Sequence, residues 1–478
     1  MKKLEVILLV LLLAAALFVR LYKIGRPIAD WHSWRQADTA AVARNFVKEG
    51  YNPFIPRYDD MSSQANGLPN PQRYRFVEFP LYNSLIALVW YFTGIKDISA
   101  RLVTVTITLI STFFLYLIVK KYSGAKTAYL AASFFAFIPY NIFYSSAILP
   151  GPFMVMCLLV LYYTFDKWLE NTKKWHWYIV AVISSIWAIM SWPIALFFML
   201  PPLYLSFKKF GLAAFKTRPL WLFAALSLFP FALWRFWINQ YPEGIPNWKF
   251  LINEGNIRFK GAFFRWIVAE RLGKLILTAG GLPLFILGLI KKPGLEGSYY
   301  YTFLISSLLY ITVMASGNVR HDYYQVPIIP TLSIFMALGV KLLVSPPKEI
   351  FNPILGKIVA VVCIILMFAF GFYEVRGYYW INRPQIVTAG AAVDRLIPKD
   401  ATVIAPYNGD AAFLYQTNRH GYPIVDRDLR DFIKDGTKYL VSVDVNDAGI
   451  QNLAKHCKVV EQTRDYVIVE MFTGCIGR

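Results

Sequence analysis

Long apolar blocks without charge alternate with short polar segments along most of the first 380 residues. Three examples are Val6–Phe18, Thr104–Val119 and Val359–Phe372. A helix needs about 18–20 consecutive apolar residues to cross the hydrocarbon core of a bilayer. The pattern therefore predicts a polytopic α-helical membrane protein.

We predict about eleven transmembrane helices. A first helix lies in the block Val6–Phe18, and the short block Leu81–Phe92 is interfacial or re-entrant because it is too short to cross. Since eleven is an odd number, the two ends of the chain are expected on opposite sides of the membrane. The ten later crossings are predicted over residues 101–120, 126–143, 152–168, 177–191, 192–207, 219–237, 272–290, 298–315, 326–344 and 356–373.

Pairs of lysines at the ends of the apolar blocks predict the orientation. Lys2-Lys3 precedes the first helix, and Lys120-Lys121, Lys173-Lys174, Lys208-Lys209 and Lys291-Lys292 follow the same rule. Cytoplasmic loops carry an excess of Lys and Arg, so we place the N-terminus in the cytoplasm. We also expect the first helix to stay uncleaved, because no small-x-small site follows it.

Two long loops and the tail then lie on the outer face. The loops are residues 23–80 and 239–270, both inside a membrane domain spanning 1–380. Residues 381–478 are predicted to form a small extracytoplasmic α/β domain. Its expected strands are Thr402–Ala405, Tyr439–Val443, Val459–Arg464 and Tyr466–Phe472, and its expected helices are Asp410–Asn418 and Ala448–His456.

Cysteine usage fits an outer tail. Cys157 and Cys363 lie in apolar blocks, where we expect them to pack. Cys457 and Cys475 lie in the terminal strand region, and we predict that they bridge if the tail faces an oxidising space.

Composition excludes several classes of protein. The chain is 57% hydrophobic and 16% charged, against about 45–50% and about 25% in soluble proteins. A soluble enzyme, a disordered chain and a disulfide-stapled miniprotein are therefore excluded. The net charge of +20 comes from 49 cationic and 29 acidic residues. We expect no nucleic-acid partner, because many of the cations stand at the ends of apolar blocks.

The first outer loop holds the first group of candidate chemistry. Ser33 is expected to cap a helix that continues through Phe46, and Arg35 and Asp38 would share one face of it. A carboxylate beside a cation suits a reaction between a lipid phosphate and a hydroxyl. The alternative is a solvated amphipathic helix with tryptophan anchors at the interface.

Two further polar segments are candidates. Glu78 stands where the first loop returns to the membrane, and Arg320–Tyr324 lies between two predicted crossings. Ionisable residues at the edge of a bundle are costly unless they are paired, so they tend to be functional. The alternatives are a simple turn at Glu78, and an Arg–Asp pair with an interfacial tyrosine belt. The second outer loop is predicted to form an amphipathic helix at the membrane surface.

Four segments carry a resemblance to a known family. They are WHSWRQADTAAVARNF at 31–46, EFPLYN at 78–83, FIPYNIFYSSAILPGPF at 137–153 and HDYYQVPIIP at 321–330. In this order and topology they resemble the GT-C membrane glycosyltransferases. The nearest branch is the dolichyl-phosphate-mannose-protein mannosyltransferases (glycosyltransferase family 39), which includes bacterial enzymes that modify lipid A with aminoarabinose.

The resemblance implies an inverting glycosyltransferase in the cytoplasmic (inner) membrane. It would move a sugar from a polyprenyl-phosphate donor to a hydroxyl on a lipid, glycan or protein at the outer face. Asp38 is our first choice for the general base and Asp30 the second. Candidates for binding the donor phosphate are Arg35, Arg258, Arg265, Arg271, Arg320 and His321. Candidates for contacting substrate are Trp31, His32, Trp34, Glu78, Tyr82, Asp322, Tyr323 and Tyr324.

Metal dependence stays open from the sequence. No HExxH or CxxC motif is present, and His321 alone does not indicate a metal site. We therefore assign no cofactor, with Mg²⁺ or Mn²⁺ at Glu78 as the alternative.

Three departures from the family pattern leave other functions open. The usual Asp-Glu pair of the loop-one helix is Arg35-Gln36 here, and Gly151 follows Leu149-Pro150 where relatives often have an acid. Glu78 replaces a lysine of the lipid A branch, which argues against aminoarabinose as the sugar. A flippase or transporter of lipid-linked sugar and a non-catalytic cell-envelope assembly subunit remain alternatives. Against the transporter, no inverted repeat is present.

Overall fold

The computed structural model describes residues 3–346 and 352–476, so Lys2 of the first basic pair lies outside the described residues. The chain divides into two compact units. The first, here called the membrane unit, comprises the residues up to Ile24, Arg101–Arg235 and Trp248–Gly377. The second, called the loop-and-tail unit, comprises Gly25–Ala100, Phe236–Asn247 and the residues from Tyr378 onward.

The membrane unit is built from helices. Its α-helices are Lys3–Arg20, Asp97–Ser123, Ala125–Phe137, Pro139–Tyr144, Gly151–Glu170, Trp175–Ser191, Leu200–Phe210, Arg218–Ile238, Phe250–Asn253, Gly261–Phe264, Thr278–Ile290, Tyr299–Val313, Ala315–Arg320, Ile329–Val344 and Pro353–Val375. Shorter 3₁₀ segments are Pro193–Met199, Gly211–Lys216, Glu254–Phe259, Asp322–Ile328 and Arg376–Tyr379, and Arg265–Ile276 is a π-helix. Three of these segments cross the boundary between the units. Residues 97–100 of Asp97–Ser123, residues 236–238 of Arg218–Ile238 and residues 378–379 of Arg376–Tyr379 belong to the loop-and-tail unit.

Each predicted crossing coincides with helical structure. Among the described residues, five helical segments are long and apolar enough to cross a membrane: Asp97–Ser123, Gly151–Glu170, Arg218–Ile238, Asp322–Val344 and Pro353–Tyr379. A sixth candidate is the pair Gly261–Ile276 and Thr278–Ile290, which is bent by 109°. The count of eleven crossings and the positions of the two ends stay predictions.

The prediction for the second outer loop was wrong. Instead of one amphipathic helix, the chain forms the short helix Phe250–Asn253, a 3₁₀ segment and the π-helix Arg265–Ile276. Gly255 and Asn256 both have positive φ angles, of 62° and 55°. A helix cannot continue through two such residues.

Glycines allow three helices of the membrane unit to pack closely. A Cβ on Gly288 would lie 1.8 Å from the carbonyl oxygen of Phe335, and one on Gly339 would lie 1.9 Å from that of Leu284. These two contacts join Thr278–Ile290 to Ile329–Val344 in both directions. Gly280 approaches Cys363 of Pro353–Val375 in the same way. Small residues bring helix backbones together because apolar burial gives little driving force inside lipid.

The loop-and-tail unit combines helices with one mixed sheet. Its α-helices are Ser33–Lys48, Leu81–Thr93, Gln385–Leu396, Ala411–Gln416, Leu429–Lys434 and Ala448–His456. Its 3₁₀ segments are Pro242–Gly244 and Thr473–Cys475. From one edge to the other the strands are Gly421–Tyr422, Val403–Ile404, Tyr439–Ser442, Val467–Glu470 and Lys458–Gln462. The first three are parallel to one another, and the last two pair antiparallel.

The α/β pattern predicted for the tail is present. All four predicted strands form, and Asp410 and Asp447 cap their helices by accepting the backbone N–H of Ala412 and Ile450. The helices Gln385–Leu396 and Leu429–Lys434 and the edge strand Gly421–Tyr422 were not predicted. Cys457 and Cys475 form a disulfide, as predicted, with Cα atoms 5.0 Å apart.

The first outer loop joins the tail rather than standing apart from it. Asp60 forms a parallel bridge with Gly421 at the sheet edge, where the N–H of Met61 donates to the carbonyl of Gly421 at 2.8 Å. Arg44 donates to the carbonyl oxygen of Tyr415 at 2.9 Å. We predicted only the tail as a separate unit, and these hydrogen bonds explain why residues 25–100 are grouped with it.

We predict that Gly288→Ala and Gly339→Ala each destabilise the protein, because a methyl group has no space against the facing carbonyl. Overpacking of this kind costs about 1–3 kcal/mol. Thermal unfolding of the detergent-solubilised protein measures the effect as a lower midpoint. Gly261→Ala is the matched control, since no atom lies within 4 Å of a Cβ there. Equal midpoints for all three variants would contradict the packing argument.

Candidate active site

A pocket in the loop-and-tail unit brings together four charged side chains. About 220 Å³ of space free of protein atoms lies in it and at its mouth, open solvent included. Two carboxylates and two guanidinium groups line it. The lining residues are Arg35, Asp38, Thr39, Val42, Pro56, Arg75, Val77, Glu78, Pro80 and Asn83.

The helix Ser33–Lys48 supplies one wall of the pocket. Its residues Arg35, Asp38 and Thr39 line the pocket. The spacing of Arg35 and Asp38 predicted that these two share a face of the helix. The predicted cap was wrong: the helix begins at Ser33, and His32 before it has a φ of 54° and makes no side-chain cap. The Ser33 hydroxyl donates instead to Oδ2 of Asp410 at 2.9 Å.

Asp38 pairs with Arg75 across the pocket. Arg75 Nη2 donates to Oδ2 of Asp38. Arg75 is held by its backbone, since its N–H donates to the carbonyl of Pro56 at 2.9 Å, and by its side chain, which lies 4.9 Å from the centroid of the Tyr58 ring. A short antiparallel contact between Arg57 and Tyr74 orders this segment.

Arg35 pairs with Glu78. Its Nη2 donates to both carboxylate oxygens of Glu78, at 2.7 and 2.8 Å, and its Nη1 donates to the Thr39 hydroxyl at 3.2 Å. Pro80 follows Glu78 and precedes the helix Leu81–Thr93. Asn83 of that helix donates to the carbonyl of Thr39 at 2.8 Å, which fixes the two helices to each other.

The donor set around Glu78 does not fit a divalent cation. Both oxygens of this carboxylate already accept from Arg35, whose positive charge repels a metal ion. Within residues 3–346 and 352–476, no group of three His, Cys, Asp or Glu side chains is arranged to hold a metal.

Two further carboxylates, those of Asp60 and Asp410, lie close enough to Asp38 to be affected by its charge. Burial raises the pKa of Asp60 to about 6, and the negative charge of Asp38 acts in the same direction. Burial also raises the pKa of Asp410 to about 6, again with a contribution from Asp38. The Ser62 N–H donates to Asp60 at 2.7 Å, and the Ala412 N–H donates to Asp410 at 2.7 Å; both bonds oppose the rise in pKa.

Asp30, the second candidate base, lies outside the pocket lining. It pairs with Arg26, and Gln36 Nε2 donates to its Oδ1 at 2.8 Å. The nearby Trp31 ring stacks on Tyr378 with centroids 4.8 Å apart.

The other loop-one candidates differ in burial. Trp34 and His32 are half-buried, and Tyr82 is buried. None of the three lines the pocket.

The remaining phosphate candidates lie in the membrane unit. Arg258 donates to the carbonyl of Val313 and Arg271 to that of Val319, each at 2.8 Å. Arg320 forms an exposed ion pair with Glu254, and Arg265 is exposed.

Asp322 is buried in the same unit. The hydroxyl of Tyr144 donates to its Oδ1 at 2.5 Å, and that of Tyr140 donates to its carbonyl oxygen at 2.5 Å. His321 stacks near Tyr323 and Tyr324, with ring centroids 5.6 and 5.8 Å away.

The position of Gly151 is closely packed. It begins the helix Gly151–Glu170, and a Cβ there would lie 3.1 Å from the Trp192 ring. A carboxylate side chain at this position would therefore require the Trp192 ring to shift by a few tenths of an ångström.

Sequence reasoning missed Arg75, Asp60 and Asp410. Arg75 lies in a loop with several arginines and no periodic pattern, so the sequence does not indicate which arginine faces the site. Asp410 was identified only as the start of a predicted helix. The signal that points to Arg75 is its position three residues before Glu78, in the segment that leads back to the membrane.

One family matches part of the chain. Residues 78–237 match the sequence model of the dolichyl-phosphate-mannose-protein mannosyltransferase family. No curated protein matches the sequence.

Solved structures match over nearly the full length. ArnT from Cupriavidus metallidurans bound to undecaprenyl phosphate is 16% identical, with a TM-score of 0.66 over 98% of this chain and 99% of that one. The archaeal oligosaccharyltransferase AglB from Archaeoglobus fulgidus, in complex with an inhibitory peptide and a dolichol-phosphate, is 11% identical. Its TM-score is 0.58 over 96% of this chain and 73% of that one.

These matches confirm the resemblance predicted from the sequence. The chain has the multi-pass membrane fold of ArnT, that is, the GT-C architecture. The family match together with this fold indicates a glycosyltransferase of the GT-C type.

We predict that Asp60→Asn stabilises the protein at pH 8 more than at pH 4. The native pKa of about 6 lies above the ordinary 3.8, so the native state binds this proton more tightly than the unfolded state does. The contribution of protonated Asp60 to the free energy of unfolding is therefore fully present below pH 3.8. It is lost as the pH rises through 6, which lowers the free energy of unfolding by roughly 3 kcal/mol. The neutral amide removes this loss.

Thermal midpoints at pH 4 and pH 8 measure the difference. Asp444→Asn is the control, because Asp444 is exposed and pairs only with exposed Arg383 in the described part of the chain. A gain of equal size at both pH values would mean that ionisation of buried Asp60 is not its cause.

Proposed function

We propose that this protein is an inverting glycosyltransferase that uses a polyprenyl-phosphate sugar as donor and a hydroxyl group as acceptor. One observation supports the proposal most strongly: Asp38 lines an open pocket and carries only one hydrogen bond there. Its Oδ2 accepts from Arg75, while its Oδ1 accepts none from the residues that the structure describes. A general base needs such an accessible oxygen.

Asp38 fits this role better than the other acids. Asp30 receives hydrogen bonds on both carboxylate oxygens, and it does not line the pocket. Glu78 lines the pocket, but Arg35 occupies both of its oxygens. We therefore assign the base to Asp38.

The proposed reaction is a single displacement at the anomeric carbon. Asp38 accepts the proton of the acceptor hydroxyl as its oxygen forms the new bond to that carbon. The bond between the anomeric carbon and the phosphate oxygen breaks, and polyprenyl phosphate leaves. Attack from the side opposite the leaving group inverts the configuration. Fixed guanidinium groups in a partly desolvated pocket stabilise the charge on the phosphate.

We place the reaction at the outer face of the cytoplasmic membrane. The lysine pairs at the ends of the apolar blocks support this placement, with the N-terminus in the cytoplasm and the tail outside. The tail disulfide fits an oxidising compartment. The lipid phosphates bound to ArnT and AglB support a lipid-linked donor. The acceptor is a lipid, a glycan or a protein.

The test compares cells that contain the protein, cells that lack it, and cells with Asp38→Asn. Mass spectrometry of envelope lipids, glycans and proteins is expected to reveal one hexose- or pentose-sized increment that only the wild type adds. Asp38→Asn is expected to lower transfer by at least about 100-fold. Because the variant leaves buried Arg75 without its counter-charge, its thermal midpoint is expected to fall. Transfer is therefore normalised to the amount of folded protein.

Two outcomes would contradict the proposal. Full activity of Asp38→Asn would remove the base assignment to Asp38, and full activity of Asp30→Asn as well would exclude both loop-one candidates. Transfer of lipid-linked sugar across the membrane without a new glycosidic product would indicate a flippase instead. Asp444→Asn serves as the control for loss of an acid from the same unit.

A further inference from the structure

The two arginines of the pocket differ in their free hydrogen-bond capacity. Arg35 uses Nη2 for both oxygens of Glu78 and Nη1 for Thr39. Arg75 uses only Nη2, for Asp38. Its Nε is buried without a partner, and its Nη1 donates to no residue that the structure describes. Arg75 therefore commits fewer of its N–H groups to the protein than Arg35 does, and it retains donors for a ligand.

The chemistry and the position of the Arg75 guanidinium group are suited to binding an anion. A guanidinium group binds phosphate strongly because its N–H groups are charged and arranged as a fork. The Tyr58 ring beneath the group and the backbone hydrogen bond to Pro56 hold Arg75 in place. The side chain is largely buried, with 12% of its surface exposed, so water screens it little.

We propose that Arg75 binds the donor phosphate and that this binding competes with the Arg75–Asp38 ion pair. Without donor, Asp38 is neutralised and hydrogen-bonded by Arg75. When a phosphate ester enters the pocket, the guanidinium donates to its oxygens, and the hold on Asp38 weakens. The carboxylate then becomes a better acceptor for the proton of the incoming hydroxyl. This inference rests on the proposed function.

Competition for one cation predicts the direction in which phosphate affinity changes when Asp38 loses its charge. A purely structural role of the ion pair predicts a different direction. If Asp38 and phosphate compete for Arg75, then removing the charge of Asp38 strengthens phosphate binding. If the ion pair only maintains the fold, the same change leaves binding unchanged or weakens it. The pocket also has an internal comparison, because Arg35 donates to both oxygens of Glu78 and is held more firmly by its partner than Arg75 is.

The experiment measures binding of farnesyl phosphate, a short polyprenyl monophosphate, to the detergent-solubilised full chain by calorimetry. Asp38→Asn is expected to bind the probe on the order of tenfold more tightly than the wild type. Arg75→Gln is expected to bind it on the order of tenfold more weakly. The double variant is expected to match Arg75→Gln, because the gain from Asp38→Asn requires Arg75.

Arg395→Gln is the matched control. Arg395 is an arginine of the same unit whose pair with Glu461 lies at the surface, and its loss is expected to leave binding unchanged. If Arg75→Gln fails to fold, the double variant still provides the test, since it removes both charges and leaves neither one buried alone.

Two results would overturn the inference. One is unchanged or weaker binding by a folded Asp38→Asn variant. The other is a double variant that binds the probe more tightly than Arg75→Gln does. These outcomes are separate from the proposed function: the expected binding pattern without any glycosidic product would contradict the transferase, whereas Asp38-dependent transfer without this pattern would contradict only the role of Arg75.

Discussion

The ion pair between Asp38 and Arg75 is the interaction on which the candidate site depends. A charge that is removed from water costs several kcal/mol unless an opposite charge and hydrogen bonds compensate it. The pocket meets this constraint with two pairs, Asp38 with Arg75 and Arg35 with Glu78. Its walls come from distant segments, because each pair joins the helix Ser33–Lys48 to a residue about 40 positions later.

The same constraint explains how the first outer loop is organised. Arg44 pairs with Asp59 and donates to the carbonyl of Tyr415, and Ser33 donates to Asp410. One helix therefore contacts both the rest of the loop and the tail through its polar side chains. The buried pairs fix the positions of Asp38 and Arg35, so the site and the fold of the unit are not independent.

Much of the fold was predictable because its signals are local. Uncharged apolar blocks correspond to helices of the membrane unit, and alternating residues correspond to the tail strands around Tyr439–Ser442 and Val467–Glu470. The disulfide followed from two cysteines in one strand region. The predictions were wrong where a helix is interrupted. Gly255 and Asn256 interrupt the helical structure of the second outer loop, and the hydrophobic periodicity of the sequence does not indicate their positive φ angles.

The site was predictable only in part, for a physical reason. Asp38 and Arg35 share a helix face, so their spacing indicated a common location. Arg75 and Asp60 lie in irregular chain, where spacing carries no geometric information, and Asp410 joins the site only through long-range contacts. The family's Asp-Glu pair is replaced by Arg35-Gln36, yet the pocket keeps two acids, Asp38 and Glu78.

The most direct measurement is an experimental structure of the protein with farnesyl phosphate bound. Our account predicts phosphate oxygens within hydrogen-bond distance of the Arg75 guanidinium, and a lengthened or broken contact between Arg75 and Asp38. A phosphate bound elsewhere, with the contact between Arg75 and Asp38 unchanged, would contradict it.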